Sequence, residues 1–199
     1  MNTPVYSVYQ DPLLISILML FIVLDPIGNS PYFFLLTRDY PEEKRRQIIT
    51  KSVLIALFVM LFFSILGDIL FTILGVTVDD FRIAAGIILL IYFIATLLEI
   101  DIGPKPPLEN LAVVPLAMPL LAGPAAISTV IYIKYTWGLS YAIVSTLINL
   151  VVAYPILLAG EMLLRYMGKN GSLVFEKLMA MIMASFAIAM IREGLHLTH

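Results

Sequence analysis

The chain has 199 residues, 61% of them hydrophobic and only 13% charged, with a net charge of −2 and no cysteine. Soluble domains carry about 45–50% apolar and about 25% charged residues, so an ordinary soluble fold is excluded. The near-balanced charge offers no basic surface for nucleic acid, and the lack of thiols removes cysteine catalysis and disulfide frameworks.

The apolar residues gather in six blocks, roughly 12–36, 48–74, 81–98, 111–133, 139–164 and 173–192. Each approaches the roughly 20 residues a helix needs to cross about 30 Å of hydrocarbon. Backbone in lipid must satisfy its own hydrogen bonds, which leaves helices or closed barrels. Barrel strands alternate apolar and polar residues over roughly ten positions, and this chain does not. The expectation is an all-α, polytopic membrane protein of six transmembrane helices, forming a single domain over 1–199. The first eleven residues lack Lys and Arg, and no small-residue cleavage site follows the first block. That block therefore reads as a retained helix rather than a cleaved signal.

The first block is interrupted by "FIVLDPIGNSPYFF" (21–34). Pro26 and Pro31 lack an N–H and clash with the preceding turn, and Gly28 permits backbone angles that other residues resist. The spacing predicts a helix over 12–24 and a second over 31–37, capped by Asn29 or Ser30 with Pro31 at its first position. The break then falls inside the membrane, toward its cytoplasmic side. The connection that follows holds Arg38, Lys44, Arg45, Arg46 and Lys51. The second block carries Asp68 near one end, and the third opens with "FRIAAGIILL" (81–90).

"DIGPKPPLEN" (101–110) reads as a link between halves. The fourth block contains "LAMPLLAGPAAIST" (116–129), where Gly123 suits a cap and Pro124 the first helical position. Tyr132, Tyr135 and Trp137 end this block and suit an interfacial aromatic belt. The fifth block carries Glu161, and His196 and His199 stand alone near the end, too few for a metal site. Basic residues number nine in alternate connections (38–51, 105, 165–177) against Arg82, Lys134 and Arg192 on the other side. The positive-inside rule makes the first side cytoplasmic, so both termini are expected outside the cytoplasm.

The chain repeats itself. A shift of 93 positions lays Pro26 on Pro119, Pro31 on Pro124, Gly67 on Gly160, Asp68 on Glu161 and Gly75 on Gly168. Three helices per half make the halves, 1–100 and 101–199, inverted repeats, an architecture of secondary transporters with the site at the repeat interface. Each break exposes N–H groups at one half-helix start and C=O groups at the other half-helix end. Two facing breaks would make a small polar site for a zwitterion, its carboxylate near Ser30 or Gly123–Ala126, its ammonium near Asp25 and the carbonyls before each break. "AGPAAIS" (122–128) supplies little bulk, which favours a small substrate or close helix approach. Intramembrane carboxylates are functional candidates, so Asp68 and Glu161 are candidates for proton coupling. The alternatives are a kink used for packing, interfacial carboxylates, and a symmetric bundle with no transport role. No HExxH or Ser/His pair supports an intramembrane protease, so no enzyme and no cofactor is expected. A channel would want a carbonyl or charged ring.

"LDPIGNSPYFFLLT" (24–37), "FRIAAGIILL" (81–90) and "PLAMPLLAGPAAIST" (115–129) resemble the signature segments of the MarC family, with its SnatA-like transporters. The likeness covers essentially the whole chain. It implies a six-helix inner-membrane protein that moves small neutral amino acids such as glycine, alanine or serine, coupled to protons in some members. It also implies a substrate site at Asp25, Pro26, Gly28, Asn29 and Ser30 together with Leu121, Ala122, Gly123, Pro124 and Ala125. Ala126 stands where glycine is expected in the family and narrows the pocket; Ala85 is a similar departure. The expected partners are a small zwitterionic amino acid, protons and the lipid bilayer. A passive channel or a non-transporting scaffold remains the alternative.

Overall fold

The computed structural model describes residues 11–38, 40–100, 108–160 and 168–195. In chain order the helices are α1 (Pro12–Leu24), α2 (Pro26–Thr37), α3 (Glu42–Leu74), α4 (Val78–Leu98) and the single turn α5 (Leu108–Leu111). A π-helical stretch, π1 (Ala112–Leu121), follows, then α6 (Pro124–Trp137), α7 (Leu139–Leu158) and α8 (Gly168–Gly194). No strand occurs among the described residues.

Local chemistry sets the ends. The Asp11 carboxylate accepts the Leu13 N–H at 2.9 Å, with Pro12 at the first helical position. Thr77 and Asp80 form a reciprocal capping box at the start of α4, at 3.1 and 2.8 Å. Gly75 closes α3 in the left-handed conformation, φ 64°. Glu42 and Glu43 in the first turn of α3 complement its dipole.

Four segments are long and apolar enough to span a bilayer: Pro12–Thr37, Glu42–Leu74, Val78–Leu98 and Leu139–Leu158. The bent pair Ala112–Leu121 and Pro124–Trp137 makes a fifth if counted as one span. The six expected crossings are thus four or five by length and hydropathy among the described residues. The last apolar block lies within α8, 27 residues long, with Arg192 and Glu193 in its final turn.

Large apolar side chains point both inward and outward. Leu20, Leu24, Phe33, Met60, Leu89, Leu116 and Ile127 are buried in a common core. Phe58, Ile73 and Val151 on the outer faces are each more than 70% exposed. Contiguous exposed apolar surface of this kind suits lipid, not water. Two buried hydroxyls of α3 stay inside their own helix: Ser52 Oγ donates to the Ile48 carbonyl at 2.8 Å and Ser64 Oγ to the Met60 carbonyl at 2.7 Å.

The most extensive helix pair is α4 with α8, which run antiparallel. Gly86 of the second signature segment sits at their crossing, where a Cβ would lie 2.8 Å from the Ala187 carbonyl oxygen. Small residues let membrane helices approach this closely. Both ends of the pair are tied by charge. Arg82 Nη1 approaches Glu193 Oε2 at 3.9 Å, and Lys177 Nζ reaches Glu99 Oε1 at 2.9 Å. Lys177 Nζ also donates to the Thr96 and Leu97 carbonyls at 3.0 and 3.1 Å, satisfying the open end of α4.

Candidate functional site

The first break is a one-residue turn. Asp25 takes the left-handed conformation, φ 40° and ψ 59°, ending α1 and capping α2. Its Oδ1 accepts the Gly28 N–H at 2.9 Å. A Cβ on Gly28 would lie 2.2 Å from Asp25 Oδ2, so this close cap needs glycine. Asn29 Nδ2 donates to the Leu24 carbonyl at 2.9 Å. Pro26, not Pro31, takes the first helical position, and Pro31 lies inside α2.

This corrects the sequence reading of that segment. Asn29 and Ser30 do not cap a helix beginning at Pro31. Asp25 does so five residues earlier, because an aspartate tolerates left-handed backbone and can fold its carboxylate onto an N–H three residues ahead. The break also moves to the middle. α1 and α2 hold 13 and 12 residues, about 20 and about 18 Å at the helical rise. Ile22 still loses its usual acceptor role, because Pro26 has no N–H to offer.

The second break is longer and less satisfied. Within π1, Val114 and Met118 leave helical geometry, and the Val114–Pro115 and Met118–Pro119 peptides are cis. Ala122 N–H donates to the Ala117 carbonyl at 2.8 Å, a five-residue step. Gly123 then caps α6 with Pro124 at its first position, as the sequence indicated, and the cap residue gives no side-chain hydrogen bond to the N–H groups of the first turn. The two segments meet at 53°. A Cβ on Gly123 would lie 2.3 Å from the Pro119 carbonyl oxygen. The glycine is required by that contact alone.

A cavity of about 90 Å³ lies against this second break. Leu121, Gly123, Pro124, Ala125 and Ala126 line it, opposite Val23 in the last turn of α1. Arg82 from the start of α4 lines it too, with Phe186, Ala189, Met190 and Glu193 of α8. Pockets for drug-sized ligands run about 300–1,000 Å³, so this one admits only a few heavy atoms. Ala122 is buried beside it without lining it.

The first-break residues lie elsewhere. Asp25, Pro26, Gly28, Asn29 and Ser30 do not line this cavity. Ser30 Oγ donates to the Ile156 carbonyl on α7 at 2.9 Å, and a Cβ on Gly160 would lie 2.3 Å from the Ser30 carbonyl oxygen. Tyr32 donates through its hydroxyl to the Met179 carbonyl on α8 and meets Phe93 edge-on at 5.2 Å. The α2 side is therefore packed shut, while the α6 side holds space.

Asp68 is tied to α6. Its Oδ1 accepts from Lys134 Nζ at 2.9 Å and its Oδ2 from the Tyr135 hydroxyl at 2.6 Å. Lys134 Nζ also donates to the Ile65 carbonyl at 3.2 Å. Glu161, His196 and His199 lie outside the described residues. Among the described residues no group of three or more His, Cys, Asp or Glu could hold a metal ion.

Three residues escaped the sequence reading. Arg82, which the sequence placed only among the basic residues of the non-cytoplasmic side, and Glu193, read as a charge at the outer boundary of the last helix, both line the cavity. Asn149 is 1% exposed in α7. Its Nδ2 bonds the Ile17 and Ser145 carbonyls at 3.1 and 2.8 Å, yet its Oδ1 has no partner among the described residues. An asparagine in the middle of an apolar block was the available signal.

The fold and site define an all-helical integral membrane protein whose small, largely apolar cavity, with two charged residues in its wall, is built on an interrupted helix. The family profile described as "MarC family integral membrane protein" matches residues 12–198, and the chain belongs to that family. It is 30% identical over 188 residues to the UPF0056 membrane protein MJ1677 of Methanocaldococcus jannaschii, covering 88% of this chain and 92% of the relative. It is 28% identical over 193 residues to the UPF0056 inner membrane protein YhgN of Escherichia coli K12, covering 94% and 98%. A second Methanocaldococcus jannaschii relative, the UPF0056 membrane protein MJ0972, is 32% identical over 191 residues, covering 88% and 83%. No solved structure matches the chain.

Proposed function

We propose that this chain is a secondary transporter of small neutral amino acids such as glycine, alanine or serine, importer or exporter. The reading has it work by alternating access between two inverted three-helix repeats. The observation that carries it is the cavity of about 90 Å³ between the second break and the last turn of α1. A zwitterion of a few heavy atoms fits that volume, and the bare first turn of α6 offers it N–H groups with partial positive charge.

Two further features support the repeat. The pairs Arg82–Glu193 and Lys177–Glu99 tie opposite ends of α4 and α8. Glu99 and Glu193 stand 94 positions apart, Arg82 and Lys177 95, close to the 93-residue repeat. The halves are also unequal in packing, with Tyr32, Phe93 and the Ser30–Gly160 contact closing the α2 side. A transporter caught with one side open has this asymmetry.

Proton coupling runs through Asp68 in this reading. Protonating that carboxylate removes the charge that holds Lys134 and Tyr135, both on α6. The half-helix that lines the cavity would then be released. The E. coli relative is named an inner membrane protein, and we assign the same membrane here, with both termini outside the cytoplasm.

The test is uptake and counterflow of labelled glycine, alanine and serine by purified protein in liposomes, with and without a pH gradient. Saturable flux with counterflow is expected. Absence of flux for all three would refute the substrate class, and flux without counterflow would make the protein a channel.

A further inference from the structure

Arg82 and Glu193 sit 111 positions apart and meet on one wall of the cavity. They are the two charged side chains that line it, among apolar neighbours such as Val23, Pro119 and Met190. Their separation of 3.9 Å exceeds hydrogen-bond length. Among the described residues Arg82 donates one hydrogen bond, to Asp79 Oδ1 at 3.2 Å, out of the five N–H donors a guanidinium carries. The remaining donors stand beside a cavity that the start of α6, which has no side-chain cap, also lines.

We propose that Arg82 and Glu193 are the charged half of the substrate site and select zwitterions. Arg82 receives the ligand carboxylate together with the first-turn N–H groups of α6, and Glu193 receives the ammonium. The inference rests on the amino-acid reading of the same cavity. A zwitterion replaces one loose ion pair with two closer ones of the same signs, so no net charge is added to the largely apolar cavity, and Arg82, at 22% exposed, carries more of any desolvation penalty than Glu193, at 51%. A monoanion or a monocation satisfies one partner and leaves the other charge uncompensated. That penalty is the source of selectivity. Arginine suits the role because its planar fork matches a carboxylate in two contacts.

Asp79, which braces Arg82 from its own helix, is a positioning residue, and it does not line the cavity. A merely structural Arg82–Glu193 pair would hold α4 to α8 and would show no preference among ligands. The discriminating quantity is therefore the pattern of ligand preference, not stability itself.

The experiment measures ligand-induced shifts in the melting temperature of the purified protein in detergent. The ligands are glycine, glycine methyl ester, which lacks the anionic carboxylate, and acetate, which lacks the ammonium. Wild-type protein should be stabilised by glycine and by neither analogue at tenfold higher concentration. Arg82→Gln should need at least tenfold more glycine and lose its preference over the methyl ester. Glu193→Gln should lose its preference over acetate. Arg82→Lys keeps the charge without the fork and should fall between. If glycine stabilises Arg82→Gln and Glu193→Gln as it does the wild type, with the same preferences, the assignment is wrong and the transporter reading survives. If none of glycine, alanine or serine stabilises the wild type, both fall.

Discussion

Lys134 Nζ on α6 lies 2.9 Å from Asp68 Oδ1 on α3, and Tyr135 closes the other carboxylate oxygen at 2.6 Å. The side chains of Asp68 and Lys134 are 27% and 21% exposed. The pair therefore sits at the border of water and bundle, and it joins the long helix α3 to the half-helix that lines the cavity.

Asp68→Asn should remove the pH dependence of net transport while leaving exchange of substrate intact. It also weakens two hydrogen bonds to a charged group, each worth about 1.5–3 kcal/mol where burial is complete and less here. Flux measured across a series of pH values, beside counterflow at one pH, separates the two effects. A variant with an unaltered pH profile would make Asp68 a brace for α6 and nothing more.

Gly123→Ala should cut flux at least tenfold in a protein that still inserts and elutes as the wild type does. The added methyl group would lie 2.3 Å from the Pro119 carbonyl oxygen, so the break must open to hold it. Gly123→Val should abolish flux. If Gly123→Ala transports normally, the geometry of the second break is irrelevant to the substrate.

Asp25 can be divided into its two roles by substitution. Asp25→Asn keeps both the side-chain oxygen and the tolerance for left-handed backbone. Asp25→Ala loses the cap and strains the turn, at a cost of about 1–2 kcal/mol. If the residue only holds the break, Asp25→Asn melts and transports like wild type while Asp25→Ala melts lower. A loss of flux in Asp25→Asn without a change in melting would place the carboxylate against the substrate.

The far end of α4 gives a pH prediction. Hydrogen bonding from Lys177 holds the exposed Glu99 carboxyl below its usual value. A depressed folded-state value contributes stability above the ordinary carboxylate range and loses it as pH falls through the folded value. Glu99→Gln should therefore melt slightly lower at neutral pH, converge with the wild type in acid, and so flatten the acid side of the melting curve against pH. Lys177→Met should cost more at every pH, because it also strips the Thr96 and Leu97 carbonyls of their donor.

Both interruptions were legible as Pro and Gly clusters in apolar blocks, and the cap at Gly123 followed directly from the Gly-Pro order. The first cap was not, because Asp25, Asn29 and Ser30 are all competent caps and only the local fold chooses among them. Two prolines five apart can start a helix at either one. Here Pro26 starts it, and Pro31 is absorbed into α2. The cavity's charges were hidden for another reason. Arg82 and Glu193 are distant in sequence, each lies at a helix end, and charges at helix ends look like boundary markers. They become part of a site only because α4 and α8 pack antiparallel.

That packing has a mechanical meaning. A helix pair joined by charge at both ends and interlocked at Gly86 in between cannot slide along its length without breaking one anchor or the other. It can tilt as one lever. Under the proposed alternating access, a closing of the Arg82 end over the cavity would be matched by an opposite displacement of the Lys177 end.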